Sequence, residues 1–176
     1  MSEPDWVTAA EVTLINQKET ECTNEPFEVL SPGELESACY RAWNHYSYGE
    51  TDIHRLAATY AEGVARNHPF AQGNKRSGFL ATQLFLAKNG VELLPRQDDG
   101  YAVMMRELVK GERSRDEVAT YLAENSREIV QELQQEQSRK NTEQDMDTIK
   151  REAEGHLRRR REGQSLRQGQ DQGEEI

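Results

Sequence analysis

A chain of 176 residues with 35% hydrophobic side chains and a formal net charge of −10 has room for one domain with a less packed segment beside it. It contains no run of about 18 apolar residues to cross a bilayer, acidic Met1–Asp5 lacks a secretory leader's apolar stretch, and the net charge argues against a general nucleic-acid binder. The two cysteines, Cys22 and Cys39, have no metal-ligand spacing, as expected of a reduced, cytoplasmic protein.

The first helix is announced by Thr8-Ala9-Ala10-Glu11, a capping box with Val7 and Val12 as its hydrophobic staple. Glu21–Val29 follows with Pro26 and Phe27 and no helical period, and reads either as a loop or as a short hairpin. Ser31-Pro32-Gly33-Glu34 reads as a second capping box, with Pro at the first helical position and Leu30/Leu35 as staple. The helix it opens places Leu35, Ala38, Cys39, Ala42 and Trp43 on one apolar face. A third helix starts near Thr51 or Asp52 and buries Ile53, Leu56, Ala57, Tyr60, Ala61 and Val64. It ends near Asn67, because Pro69 disfavours helix at the residue before it, so His68 is expected on a loop.

The next helix spans about Asn74 to Lys88 and stops at Asn89-Gly90. Phe79, Leu80, Ala81, Leu84, Phe85 and Leu86 make it apolar almost all round, as suits the centre of a bundle. Val91–Leu94 is the clearest strand signal, short and bounded by Gly90 and Pro95. Two further helices fit Gly100–Lys110, through Met104, Met105 and Leu108, and Arg115–Asn125, through Val118, Tyr121 and Leu122 after a capping box at Ser114. Beyond Asn125 the composition turns to Gln, Glu and Arg. Ile129 and Leu133 are expected to extend the last helix by a turn or two. Met146, Ile149, Ala153 and His156 keep helical spacing over too short a stretch for a coiled coil. Arg158–Arg161 reads as a solvated run of charge, with a partner or nucleic-acid patch as the alternative, and disorder is expected from Gly163. Residues 1–126 carry 12 Lys/Arg against 20 Asp/Glu, and residues 127–176 carry 10 against 12. The body is therefore acidic around one local basic pair, Lys75 and Arg76. That arrangement suits a small phosphate ligand better than a nucleic-acid backbone.

The chemistry concentrates in His68-Pro69-Phe70-Ala71-Gln72-Gly73-Asn74-Lys75-Arg76. The start of a helix carries unpaired N–H groups and partial positive charge, a natural anion site. Two cations there are unfavourable for a helix alone and make sense against a polyanion such as a nucleotide. Transfer of a phosphoryl or nucleotidyl group to a hydroxyl needs a base and neutralised phosphate charge. His68 has the natural pKa for the base. Gly73 lets the backbone approach phosphates, Asn74 can cap the helix or donate to a phosphate oxygen, Arg76 can grip a phosphate with two bonds, and Lys75 supplies a compact charge. Phe70 reads as a core anchor for the loop. His45, His54 and His156 read as surface or packing residues.

This string resembles the signature of the Fic/Doc family, His-x-Phe-x-(Asp/Glu)-(Gly/Ala)-Asn-(Gly/Lys)-Arg, and the likeness extends over roughly Asp5 to Asn125. Lys75, Ser77-Gly78-Phe79 and Phe85–Gly90 are most similar to the Doc, or death-on-curing, toxin branch. The resemblance implies an all-α fold, a Fic-like helical bundle over residues 5–126 with a flap at about Glu21–Val29, and leaves residues 127–176 as a polar extension. It implies His68 as general base, Gly73, Asn74, Lys75 and Arg76 as the phosphate site, and ATP with Mg²⁺ as cofactors. The Doc branch transfers the γ-phosphate of ATP to a Ser/Thr hydroxyl of a target of the translation factor Tu type, and works beside an antitoxin protein. Adenylylating relatives have glycine where Lys75 stands and a second arginine where Phe79 stands, so phosphate transfer is preferred over AMP transfer. Gln72 departs from the signature. The family acid there holds Mg²⁺, for which a neutral amide oxygen is a poorer ligand, so weakly held metal, or a Fic-fold protein that binds more than it catalyses, is the further alternative. Thr120-Tyr121-Leu122-Ala123-Glu124-Asn125 fits the family's short inhibitory pattern, in which Glu124 would pair with Arg76, but an ordinary amphipathic final helix is the preferred reading, with a separate antitoxin chain as the restraint.

Overall fold

The computed structural model describes residues 3–129 and Met146, and Leu133, Ile149, Ala153, His156, Arg158–Arg161 and the stretch from Gly163 lie outside the described residues. Among the described residues the chain is all-α with one small sheet: α1 (Ala9–Thr23), α2 (Pro32–Ser47), α3 (Ile53–Asn67), α4 (Asn74–Lys88), β1 (Val91–Leu93), α5 (Gly100–Lys110), α6 (Arg115–Glu124) and β2 (Ser126–Glu128). No described helix is long and apolar enough to cross a membrane.

Capping chemistry sets most helix starts. Thr8 and Ser114 close full capping boxes with Glu11 and Glu117, and the Asp52 carboxylate accepts from the N–H groups of His54 and Arg55. Val7 and Val12 are both buried, as the staple requires. The box expected at Ser31 does not form. Pro32 does open α2, but the Ser31 side chain caps nothing. The N–H groups of Leu30 and Ser31 are instead both drawn to the Pro69 carbonyl, at 2.8 and 3.2 Å. That pairing turns Leu30 outward, 56% exposed, so the Leu30/Leu35 staple is also absent.

The centre of the bundle is α3 rather than α4. Leu56–Ala61 and Gly63–Ala65 are buried without a break, whereas α4 exposes Gln83, Ala87 and Lys88. The reason is side-chain size. A Cβ on Gly63 would lie 3.1 Å from Ala38 Cβ, and one on Gly78 would lie 3.1 Å from the Ala61 carbonyl. The small residues of α3 therefore let α2 and α4 approach closely from two sides. Leu35, Ala38, Cys39 and Ala42 face this core, but Trp43 does not. It lies at the edge of the α2 stripe and stacks on Tyr40 with ring centroids 4.8 Å apart, both rings exposed. Burial pushes the Cys39 thiol up to about 12.

The one sheet pairs β1 with β2 antiparallel, with Glu92 opposite Arg127. The chain therefore leaves helix at Asn125 and runs as strand through Glu128, where a continuing helix was expected. Of the two readings of Glu21–Val29, the segment takes the loop. α1 continues to Thr23, Asn24 turns left-handed (φ 55), and Val29 makes a single antiparallel bridge to Phe70.

Candidate active site

The loop from α3 to α4 is built by residues that each fix one part of the backbone. His68 ends α3 in the left-handed region (φ 49, ψ 51), exposed, and Pro69 prevents the helix from continuing. Phe70 is 1% exposed and anchors the loop in the core. The loop is then zipped to the α1–α2 connection: Ala71 N–H donates to the Glu28 carbonyl at 3.0 Å, and Leu30 N–H donates to Pro69.

Asn74 is committed to this loop. Its side chain accepts from Phe70 N–H at 3.0 Å and donates to the Phe70 carbonyl at 2.7 Å. It positions the backbone, where the sequence had left open a cap or a direct phosphate contact. Gly73 is the N-cap of α4 and adopts φ 76, with no side-chain cap beneath it. The first N–H groups of α4 are thus free to face a ligand, with the positive end of the helix dipole behind them. A Cβ on Gly73 would lie 2.9 Å from Asn16 Nδ2, so only glycine fits both the torsion and the space.

Sequence reasoning missed Asn16. It lies buried on α1 and donates through Nδ2 to the Gln72 carbonyl at 2.8 Å and to Ser77 Oγ at 3.0 Å. Its Oδ1 is buried without a partner. α1 thereby holds the anion loop from below, aided by Thr20, whose hydroxyl donates to the Asn16 carbonyl at 3.0 Å. The signal was faint but present: Val12, Asn16 and Thr20 fall at i, i+4 and i+8, two polar residues on the buried stripe.

His68, Gln72, Gly73, Asn74, Lys75 and Arg76 line one open cavity of about 340 Å³. Glu25, from the α1–α2 connection, lines it too and pairs with Arg76. The Glu25 carboxylate also accepts from Thr23 Oγ1 at 2.6 Å. These bonds, the Thr23 hydroxyl first and the Arg76 guanidinium second, hold its carboxyl below the usual carboxylate range. Arg76 pairs with Glu25 and not with Glu124, so the residues of the family's inhibitory pattern read as an ordinary final helix, as preferred from the sequence. Thr120 bonds back to the Asp116 carbonyl, and the Asn125 amide donates to the Tyr121 carbonyl, so both serve α6 and its exit.

Lys75 and Arg76 also line a second cavity of about 380 Å³, with Phe79, Tyr101, Met105, Asp98 and Asp99. The Phe79 and Tyr101 rings lie 4.9 Å apart. An anion loop and an aromatic pocket that share two cations can accept the two ends of a nucleotide. The other described histidines are engaged elsewhere: His45 Nε2 lies 2.8 Å from Arg115 Nη1, and His54 Nε2 lies 2.9 Å from Ser126 Oγ.

Residues 6–86 match the model of the Fic/DOC family. The chain is also similar to the protein kinase doc of Escherichia phage P1, with 38% identity over 63 residues, covering 35% of this chain and 50% of that relative. The match therefore spans about half the length of the curated relative.

Proposed function

We propose that this chain, whose residues 6–86 match the Fic/DOC family model, is a Doc-type toxin of that family. In this reading it transfers the γ-phosphate of ATP to a Ser or Thr hydroxyl of a target protein. The target class is that of translation factor Tu, and an antitoxin protein restrains the enzyme. The observation that carries the reading is the uncapped, glycine-led start of α4, which presents free N–H groups, Lys75 and Arg76 in the same cavity as exposed His68.

In the reaction, neutral His68 takes the proton from the attacking hydroxyl. The hydroxyl oxygen forms a bond to the γ-phosphorus, the bond from that phosphorus to the bridging oxygen breaks, and ADP leaves. Lys75, Arg76 and the α4 N–H groups neutralise the phosphate charge during transfer. Asn16 and Asn74 keep those donors aimed without touching substrate. The aromatic pocket of Phe79 and Tyr101 receives the nucleoside, with Asp98 and Asp99 as acceptors for its hydroxyls.

Magnesium fits the residues present. It takes oxygen ligands, commonly one or two carboxylates plus phosphates and water, and the cavity offers the Glu25 carboxylate and the Gln72 amide oxygen. When bound it would neutralise phosphate charge. Phe79, standing where adenylylating relatives place a second arginine, supports phosphate over AMP transfer.

Incubation with cell lysate and ATP labelled at either the α or the γ position tests the reading. Label should reach protein from the γ position only. Transfer from the α position would identify an adenylyltransferase. No transfer with ample Mg²⁺ or Mn²⁺ would leave a binding protein.

A further inference from the structure

The cavity at the start of α4 holds a carboxylate that the motif does not supply. Gln72, at the position expected to be acidic, is neutral, and Glu25 reaches the same cavity from a connection far away in sequence. Resting on the phosphotransfer reading, we propose that Glu25 is the protein ligand of the divalent cation that enters with the nucleotide, and that Arg76 is its partner only while the site is empty.

The argument is one of charge. Arg76 pairs with Glu25. An arriving triphosphate competes for that guanidinium, which binds phosphate with two bonds. The Glu25 carboxylate would then face the phosphates as a like charge. Either it swings away or a cation comes between them.

The surrounding bonds oppose a swing. Glu25 N–H donates to the Thr20 carbonyl at 2.9 Å, and the Thr23 hydroxyl holds the carboxylate itself. On the other side, Glu28 and Leu30 are bonded to Ala71 and Pro69 of the phosphate loop. The segment is thus tied to α1 at one end and to the phosphate loop at the other, which favours a carboxylate that remains in the cavity. A divalent cation resolves the conflict, since Mg²⁺ is commonly held by one carboxylate together with substrate phosphates and water. Gln72 then adds at most a neutral oxygen. Glu25 supplies from outside the motif the charge that the motif lacks.

The test is the coupling between metal and nucleotide, read by calorimetry on the full chain with the non-hydrolysable analogue AMP-PNP, in Mg²⁺ and in EDTA. In the natural protein Mg²⁺ should tighten AMP-PNP binding. In Glu25→Gln the ratio of the two affinities should fall at least about tenfold, the scale on which metal sites respond to loss of a supporting group. It should recover in the Glu25→Gln/Gln72→Glu double variant, where the carboxylate returns on the motif. The electron paramagnetic resonance signal of Mn²⁺ bound with AMP-PNP should disappear and return in the same order. Taking the ratio removes any change that follows only from freeing Arg76. An unchanged ratio in Glu25→Gln, or equal tightening with and without metal, overturns the inference and makes Glu25 a competitor for Arg76 alone. Nucleotide binding that is indifferent to Mg²⁺ in the natural protein also overturns it, and leaves nucleotide binding standing. Failure of every variant to bind AMP-PNP overturns the phosphotransfer reading itself, and this inference with it.

Discussion

Gly73→Ala should be among the most damaging single-methyl additions this fold can receive. Gly73 has φ 76, and its new Cβ would lie 2.9 Å from Asn16 Nδ2. The left-handed backbone costs alanine about 1–2 kcal/mol. Relief of the overlap must move Asn16, which is fully buried and bonded to the Gln72 carbonyl and Ser77 Oγ. Each of those bonds contributes about 1 kcal/mol net, so the substitution should destabilise by about 3 kcal/mol in total. With a urea dependence of about 1–3 kcal/mol per molar, the midpoint should fall by at least about 1 M. Gly33→Ala is the internal control. It lies in α2, with nothing within 4 Å of its added Cβ and no positive φ. It should be neutral or stabilising by up to about 1 kcal/mol. A Gly73→Ala midpoint within experimental error of the natural protein, or of Gly33→Ala, would refute the account of how α1 supports the anion loop.

Asn74→Ala removes the partners of Phe70 N–H and C=O, both part-buried, and should cost about 2–4 kcal/mol by urea titration, because each orphaned group carries a desolvation penalty. Native-state titration with a thiol reagent should modify exposed Cys22 quickly and spare buried Cys39, whose thiol is pushed up to about 12, with both reacting in denaturant. Glu11 is held below the ordinary carboxylate range, first by its bond with Lys88 and then by the Thr8 backbone. Its native form binds fewer protons than the unfolded form. Its contribution is therefore complete above the carboxyl's ordinary, unfolded value and lost as pH falls through the lowered native value. Glu11→Gln should flatten that part of the acid limb in pH-dependent denaturation.

The local features were legible because they are encoded within a few residues. Thr8, Ser114, Asp52, Pro32 and Asn89-Gly90 set helix ends by capping chemistry that acts across one turn. Pro69 alone predicts that His68 leaves the helix. His68 and residues 71–76 line one cavity because a loop entering a helix keeps its neighbours together. Long-range contacts were not legible in this way. Nothing in Glu25-Pro26-Phe27 signals that its carboxylate meets Arg76, which lies on a helix far along the chain. Ser31 carries a sound capping-box pattern, yet a backbone pairing with Pro69 overrides it. Ser126–Glu128 has no strand alternation and becomes a strand because β1 offers an open edge. Trp43 fits the apolar stripe of α2, but the close approach of α2 to α3 leaves it outside the core.

The central claim is that the cavity at the start of α4 transfers phosphate with His68 as its base. Single-turnover transfer of γ-label from ATP to lysate proteins, compared between the natural protein and His68→Ala with AMP-PNP affinity measured separately for each, tests it most directly. The account predicts that the variant binds AMP-PNP as the natural protein does and transfers no label. Transfer by His68→Ala at the natural rate would contradict it.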